Sequence, residues 1–307
     1  MLIRHLRFFV TLVEEQHFGR AAERCNVTQP TLSHAIRKLE EELDLSLIIR
    51  GHRFLSLTAE GEKVLHWGRQ ILADHDSMRD ALGGKDSTGL TGCLRLGVIP
   101  AAMPAAALLT EAFLRRHPGA DIELRSMSSR VIQKGLDSFD IDGGVTYLDN
   151  EPLQHVLGVP LYSEHYVFVS RSTDAFAGRA GVSWQEAVTR PLCLLSGDMQ
   201  NRRILDRIAE SAGVRLAPRI TTNSFLGVMA HLRREPWCAI VPHTFGMIVG
   251  GMPDLVLIPM VAPARMQDIG LVLADRMPQS PMARALQDCA RRAVTERLFE
   301  VTDRQGA

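Results

Sequence analysis

Apolar positions recur every three or four residues through the first 82 positions of the chain, and beyond residue 92 they gather into short runs rich in Val, Ile and Leu. The first spacing predicts amphipathic helices, the second strands alternating with helices. Leu2, Leu6, Phe9 and Val13 mark one face of a first helix, and Phe18, Ala21, Ala22 and Cys25 mark a short second one. Asn26 tolerates the left-handed geometry that ends it. Thr28 is an N-cap for a third helix, with Pro30 in a first turn whose amides lack intrahelical acceptors. Leu32, Ile36, Leu39 and Leu43 form the buried stripe of that helix. The segment 47–50, then Gly51-His52, then 53–57 reads as a hairpin. A long helix follows the cap Thr58, carrying Val64, Trp67, Ile71, Met78 and Leu82 at nearly heptad spacing. So exposed an apolar seam needs a partner.

Glycines crowd the polar stretch 83–92, which predicts a hinge. After it, strands at 93–99, 121–127 and 141–146 alternate with helices at 103–116 and 129–138. A second alternation follows, with strands at 165–170, 191–195, 219–222 and 237–241, helices at 200–212 and 224–234, and a capping box at Ser183 and Glu186. A strand at 268–274 and a helix at 281–299 come last and are expected to return to the first lobe. The predicted fold is multidomain: an all-α winged helix-turn-helix head, a long linker helix, then a two-lobed α/β body. The expected divisions are 1–58 for the head, 59–82 for the linker helix, 83–92 for the hinge and 93–307 for the body. Within the body, lobe I takes 93–162 and 267–307, and lobe II takes 163–266.

Composition narrows the class. The 307 residues are 46% hydrophobic and 23% charged, which excludes a disordered chain, and no run reaches the length of a membrane helix. The N-terminus mixes charge into its apolar residues, as expected of a cytoplasmic protein. Thirty-five basic residues balance 35 acidic ones, so any nucleic-acid binding must come from a local patch. The five cysteines are widely spaced and form no metal-ligand pattern, so reduced thiols and no cofactor are expected.

Such a patch is present on the third helix. Its polar face carries Gln29, Thr31, Ser33, His34, Arg37 and Lys38, next to Pro30. Gln29 can pair bidentately with adenine, and Ser33 is small enough to let the backbone approach base edges. Arg37 and Lys38 are placed to grip phosphate. Arg50 and Arg53 flank a hairpin tip that could follow the backbone into a narrow minor groove. A polar helix face is ordinarily just a wetted surface, but capped helix, donor-rich face, basic hairpin and seam-bearing helix occur here in one order.

The first 82 residues resemble the DNA-binding head of the LysR-type transcriptional regulators. The resemblance rests on the stretches 18–24 (FGRAAER), 27–33 (VTQPTLS), 36–43 (IRKLEEEL), 47–50 (LIIR) and 53–61 (RFLSLTAEG). It implies a DNA-binding regulator, not an enzyme, whose linker helix pairs two subunits, with four subunits assembling and RNA polymerase as a further partner. It also implies a periplasmic-binding-protein-like body with a ligand cleft. His34 departs from the family's longer donor and leaves the base read there open. Within the family, the head and Met199-Gln200-Asn201 look most like regulators of formate dehydrogenase operons, which would make formate the ligand.

In a two-lobed α/β body, ligands sit beyond strand ends, where helix N-termini offer unpaired amides. Three such ends are readable, at Pro100-Ala101-Ala102, Ser128-Ser129 and Asn223-Ser224-Phe225. They favour a small anion such as a carboxylate, with Ser129 and Ser224 as donors and Ala101 as a wall. Ser129 matches the family's ligand-binding Ser/Thr position best. Thr146 and Asn201 lie at the rims. Each residue of those three helix ends taken alone is equally a simple helix cap, so convergence is the discriminating observation.

Two alternatives stay open. A solute-binding protein would suit the body but not the head. A thiol-based redox sensor would need reactive cysteines, whereas Cys193 and Cys238 fall in apolar strands. Enzyme fingerprints such as a nucleophile elbow, a zinc-binding helix or a phosphate loop are missing. The acids Asp140, Asp142 and Asp149 read as turn chemistry.

Overall fold

The computed structural model describes residues 3–50, 54–82, 90–149, 151–277 and 279–300. It falls into a head, within residues 3–82, and a body, made of the described residues from 90 onward apart from Asp137–Asp140, each with its own hydrophobic core.

In the head, α1 (Ile3–Glu15), α2 (Phe18–Arg24) and α3 (Gln29–Leu43) pack around Leu6, Phe9, Leu12, Ala21, Leu32, Ile36 and Leu39. The imidazole of His17 caps α2: its Nδ1 accepts from the amides of Gly19 at 3.1 Å and Arg20 at 3.3 Å. Asn26 takes a positive φ of 53° between α2 and α3. Thr28 Oγ1 then accepts from the Thr31 amide, with Pro30 in the first turn of α3. The wing pairs β1 (Ile48–Arg50) with β2 (Phe54–Leu57) antiparallel, Ile48 opposite Leu57.

The long helix α4 (Ala59–Leu82) starts at Thr58, whose hydroxyl donates to the Ser46 carbonyl at 2.6 Å and accepts from the Gly61 amide at 2.8 Å. Its inner face buries Leu65 and Leu72 in the head core. Gly68 also belongs to this face, because a Cβ there would come within 3.0 Å of Leu6 Cδ1. The outer face leaves Trp67 61% and Met78 52% exposed, with Ile71 between them. Val64 is half-buried. Leu2, the hinge residues 83–89 and the side chain of Leu82 lie outside the described residues.

The body begins with β3 (Gly92–Val98), α5 (Met103–Arg116), β4 (Ala120–Ser126), α6 (Ser129–Asp137), β5 (Gly143–Tyr147) and β6 (Val156–Glu164). The chain then crosses into β7 (Tyr166–Arg171), β8 (Val182–Ser183), α7 (Trp184–Ala187), β9 (Cys193–Leu195) and α8 (Gln200–Ser211). Next come β10 (Ile220–Thr222), α9 (Phe225–Leu232), β11 (Ala239–Pro242), α10 (Gly246–Val249) and β12 (Leu255–Val261). It returns through β13 (Gln267–Ala274) and ends in α11 (Pro281–Thr295). Lobe I is the sheet β4-β3-β5-β13-β6, in which β13 enters antiparallel to both β5 and β6. Lobe II is the sheet β11-β7-β12-β8, with the parallel pair β9-β10 attached through a bridge between Leu192 and Cys238.

Every residue of β5 is buried, as befits a strand covered on both faces. The crossover between lobes lies at Glu164, His165 and Tyr166, so the strand expected from residue 165 starts at Tyr166. The final helix ends at Thr295, short of the expected 299, where Arg297 takes a left-handed φ of 54°. No helix among the described residues is long and apolar enough to cross a membrane.

Candidate nucleic-acid interface and interlobe site

On α3, positions four apart share a face. Gln29, Ser33 and Arg37 form one row, and Pro30, His34 and Lys38 form the adjacent one. All are exposed except Ser33, which is half-buried. The opposite face buries Leu32, Ala35, Ile36 and Leu39. The cap at Thr28, whose Oγ1 also lies 2.8 Å from Thr31 Oγ1, fixes where the helix starts and therefore which rows face outward. Among the described residues Arg37 has no carboxylate partner, whereas Arg24 is held by Glu14 at 2.9 Å and Glu15 at 3.0 Å. The charge of Arg37 is thus available to a phosphate. Arg53 and the side chain of Arg50 lie outside the described residues.

In the body, a buried polar cluster joins the lobes. Ser129 opens α6 of lobe I and Gln200 opens α8 of lobe II; the Ser129 hydroxyl donates to Gln200 Oε1 and lies 2.8 Å from Thr146 Oγ1. Asn201 Nδ2 donates to the Tyr147 hydroxyl at 3.0 Å, which donates to Glu164 Oε1 at 2.8 Å. Ser129, Thr146, Gln200, Asn201, Tyr147 and Glu164 are all buried. Desolvation pushes the Glu164 carboxyl up to about 8 despite the hydrogen bond from Tyr147 and the nearby Tyr166 hydroxyl, which pull it down. The same burial, with Glu164 adding to it, raises the Tyr147, Tyr162 and Tyr166 hydroxyls well above the ordinary phenol range.

Of the residues singled out in the sequence, Ser129, Thr146 and Asn201 come together here. The others do not join them by hydrogen bonds among the described residues. Ala101 lies in the apolar core, 2% exposed. Ser128 is exposed, and its carbonyl accepts from the amides of Val131 and Ile132. Asn223 is exposed, Ser224 caps its own helix by accepting from the Leu226 amide at 3.2 Å, and Phe225 packs on Phe245 at 4.3 Å. The simple capping role therefore accounts for Ser224. Nothing in the sequence pattern singles out Tyr147 and Glu164, each of which is the last residue of its strand.

Asp142 is spent on Arg95, taking its backbone amide at 2.8 Å and its guanidinium at 3.1 Å. Cys193 and Cys238 are buried, and burial raises both thiols, Cys238 to about 11. Because Cys238 sits opposite Leu192, the neighbouring Cys193 directs its side chain to the other face of the sheet.

Residues 3–62 match the family description "Bacterial regulatory helix-turn-helix protein, lysR family", and residues 87–295 match "LysR substrate binding domain". The chain is 37% identical over 159 residues to the HTH-type transcriptional regulator AlsR of Bacillus subtilis, covering 50% of each protein. It is 38% identical over 185 residues to the SDS degradation transcriptional activation protein of a Pseudomonas species, covering 58% of each. The matches thus span about half the length of these curated relatives. Among solved structures, a full-length OxyR variant from Pseudomonas aeruginosa is similar with a TM-score of 0.75 at 23% identity, over 95% of both chains. Full-length CbnR in complex with its target DNA gives 0.69 at 20% identity, over 95% of this chain and 100% of that one. These two likenesses carry the fold.

Proposed function

Since the chain belongs to the LysR family of bacterial helix-turn-helix proteins, we propose that it is a DNA-binding transcriptional regulator whose operator affinity is set by a small anionic effector held between the body lobes. The observation that carries the DNA-binding half is the double row on α3, exposed but for the half-buried Ser33 and backed by the buried Leu32, Ala35, Ile36 and Leu39. In this reading α3 enters the major groove, Gln29 and Ser33 face bases, Arg37 and Lys38 hold phosphates, and Arg50 and Arg53 of the wing follow the backbone. The outer seam of α4 pairs two copies, two such pairs make a tetramer, and RNA polymerase is the contact through which bound protein acts on transcription in the cytoplasm.

The effector half rests on Ser129 and Gln200. Both are the first residues of helices, both are buried, and they bond to each other across the lobes. Helix N-termini present unpaired amides and favour negative charge. A carboxylate entering between them replaces the Ser129–Gln200 bond and selects a different lobe angle. Formate, small enough to fit such an exchange, is the first candidate. To regulate, the ligand must prefer one arrangement; a coupling of about 1 to 3 kcal/mol changes operator affinity roughly 5- to 150-fold.

The test is fluorescence anisotropy on promoter fragments at several salt concentrations. Gln29→Ala should cost about 1 to 3 kcal/mol on the operator and relax preference at one base pair. Arg37→Ala should weaken all sequences alike and flatten the salt slope by about 1. Identical behaviour of the two variants would refute the groove assignment.

A further inference from the structure

The chain passes between the lobes through Glu164, His165 and Tyr166, and Glu164 is completely buried there. Its Oε1 accepts from Tyr147 of lobe I, and the Tyr147 hydroxyl accepts from Asn201 of lobe II. One chain of hydrogen bonds therefore links the crossover carboxyl to both lobes. Glu164 Oε2 and Asn201 Oδ1, at its two ends, have no hydrogen-bond partner among the described residues.

The titratable groups around this carboxyl are Tyr147 from β5, Asp149 beyond β5, Tyr162 on β6 itself and Tyr166 from β7. Each is neutral or acidic, and no cation is paired with Glu164 among the described residues. The adjacent His165 stacks on His243, with ring centroids 3.9 Å apart. An ionised carboxylate is costly in such a place.

We propose that closing the two lobes on each other takes up one proton at Glu164, so that the interlobe angle responds to pH in its own right. The proposal concerns the body alone and stands whether or not the effector reading holds. In the closed arrangement burial holds the carboxyl near 8. Once the lobes part, water reaches it and it titrates in the ordinary carboxylate range, about 4.3. Between those values the closed form holds one proton more than the open form. Closure is therefore fully favoured below the lower value, weakens by up to tenfold per pH unit between them, and is flat above about 8.

The experiment is hydrogen–deuterium exchange on the full chain from pH 6 to pH 9, corrected for intrinsic exchange chemistry, comparing wild type with Glu164→Gln. In wild type, protection of segments 143–147, 164–166 and 200–204 should fall by up to tenfold per pH unit and level off above about pH 8, while β3 and α11 stay unchanged. Glu164→Gln, neutral at every pH, should show no such slope, whereas a merely structural role would shift protection equally at all pH values. Flat wild-type protection overturns the proposal without recourse to the variant, should Glu164→Gln fold poorly. A slope retained in Glu164→Gln, or one spread through β3 and α11, overturns it as well.

Discussion

The Ser129 hydroxyl donates to the Gln200 side chain, which ties the first turn of α6 in lobe I to the first turn of α8 in lobe II. Ser129 has a second partner in Thr146, so removing its hydroxyl leaves two buried polar groups with one fewer bond each. Ser129→Ala should lower body stability by about 1 to 3 kcal/mol and abolish the response to effector while leaving operator affinity in its absence unchanged. A thermal-shift screen of formate and other small carboxylates reads the effect directly, because a ligand at 100 times its Kd stabilises by about 2.7 kcal/mol. Loss of operator binding in Ser129→Ala would instead make this residue purely structural.

The two faces of α4 should respond oppositely to substitution. Trp67 and Met78 are exposed, whereas Leu65 and Leu72 are buried against the head. Trp67→Glu should disrupt pairing of subunits, seen as a smaller species by sedimentation, with little change in the unfolding of the head. Leu65→Ala should leave assembly intact when folded but cost about 2 to 5 kcal/mol of head stability through the cavity it opens. Equal assembly in both variants would place the subunit contact elsewhere.

The head is legible because its signals are local: Thr28 and Thr58 cap helices, Asn26 turns left-handed, and Leu32, Ile36 and Leu39 recur at helical spacing. The strands β6 and β12 give no strand signal in the local pattern, and each contains a proline, Pro160 and Pro259, within only partly buried runs. Proline and broken alternation both argue against a strand when judged locally; pairing with β13 and β7 supplies what the local pattern lacks. The interlobe cluster was half legible for the same reason. Ser129 and Asn201 stand at helix starts, but nothing near Glu164 in sequence signals that Tyr147 and Asn201 will meet it.

His17 is the cap that residue-type preference would not choose, since imidazole is an uncommon acceptor at a helix start. It accepts from two amides of α2. His17→Ser should preserve the cap and the melting temperature, and His17→Ala should destabilise the head by about 1 kcal/mol. Gly61 is stricter: a Cβ there would strike the backbone carbonyl of Leu47, which a rotamer change cannot relieve. Gly61→Ala should therefore cost about 1 to 3 kcal/mol and loosen the wing. Thermal unfolding with a probe in the head separates these variants, and an innocuous Gly61→Ala would contradict the packing of α4 on the wing.

Thiol chemistry offers a last test. Cys93 is exposed and Cys25 half-buried, while Cys193, Cys238 and Cys289 are buried with thiols that burial raises further. A raised thiol is mostly protonated near neutrality and is a poor nucleophile. With a chromogenic disulfide reagent at pH 7.5, Cys93 and Cys25 should react within minutes and the other three only as fast as the body opens. Treatment with dilute peroxide should produce no bond between Cys193 and Cys238, because the sheet sends their side chains to opposite faces. A disulfide joining that pair in native protein, found by mass spectrometry of unreduced peptides, would contradict the register between the two strands. It would also restore the redox-sensing reading that burial of these thiols argues against.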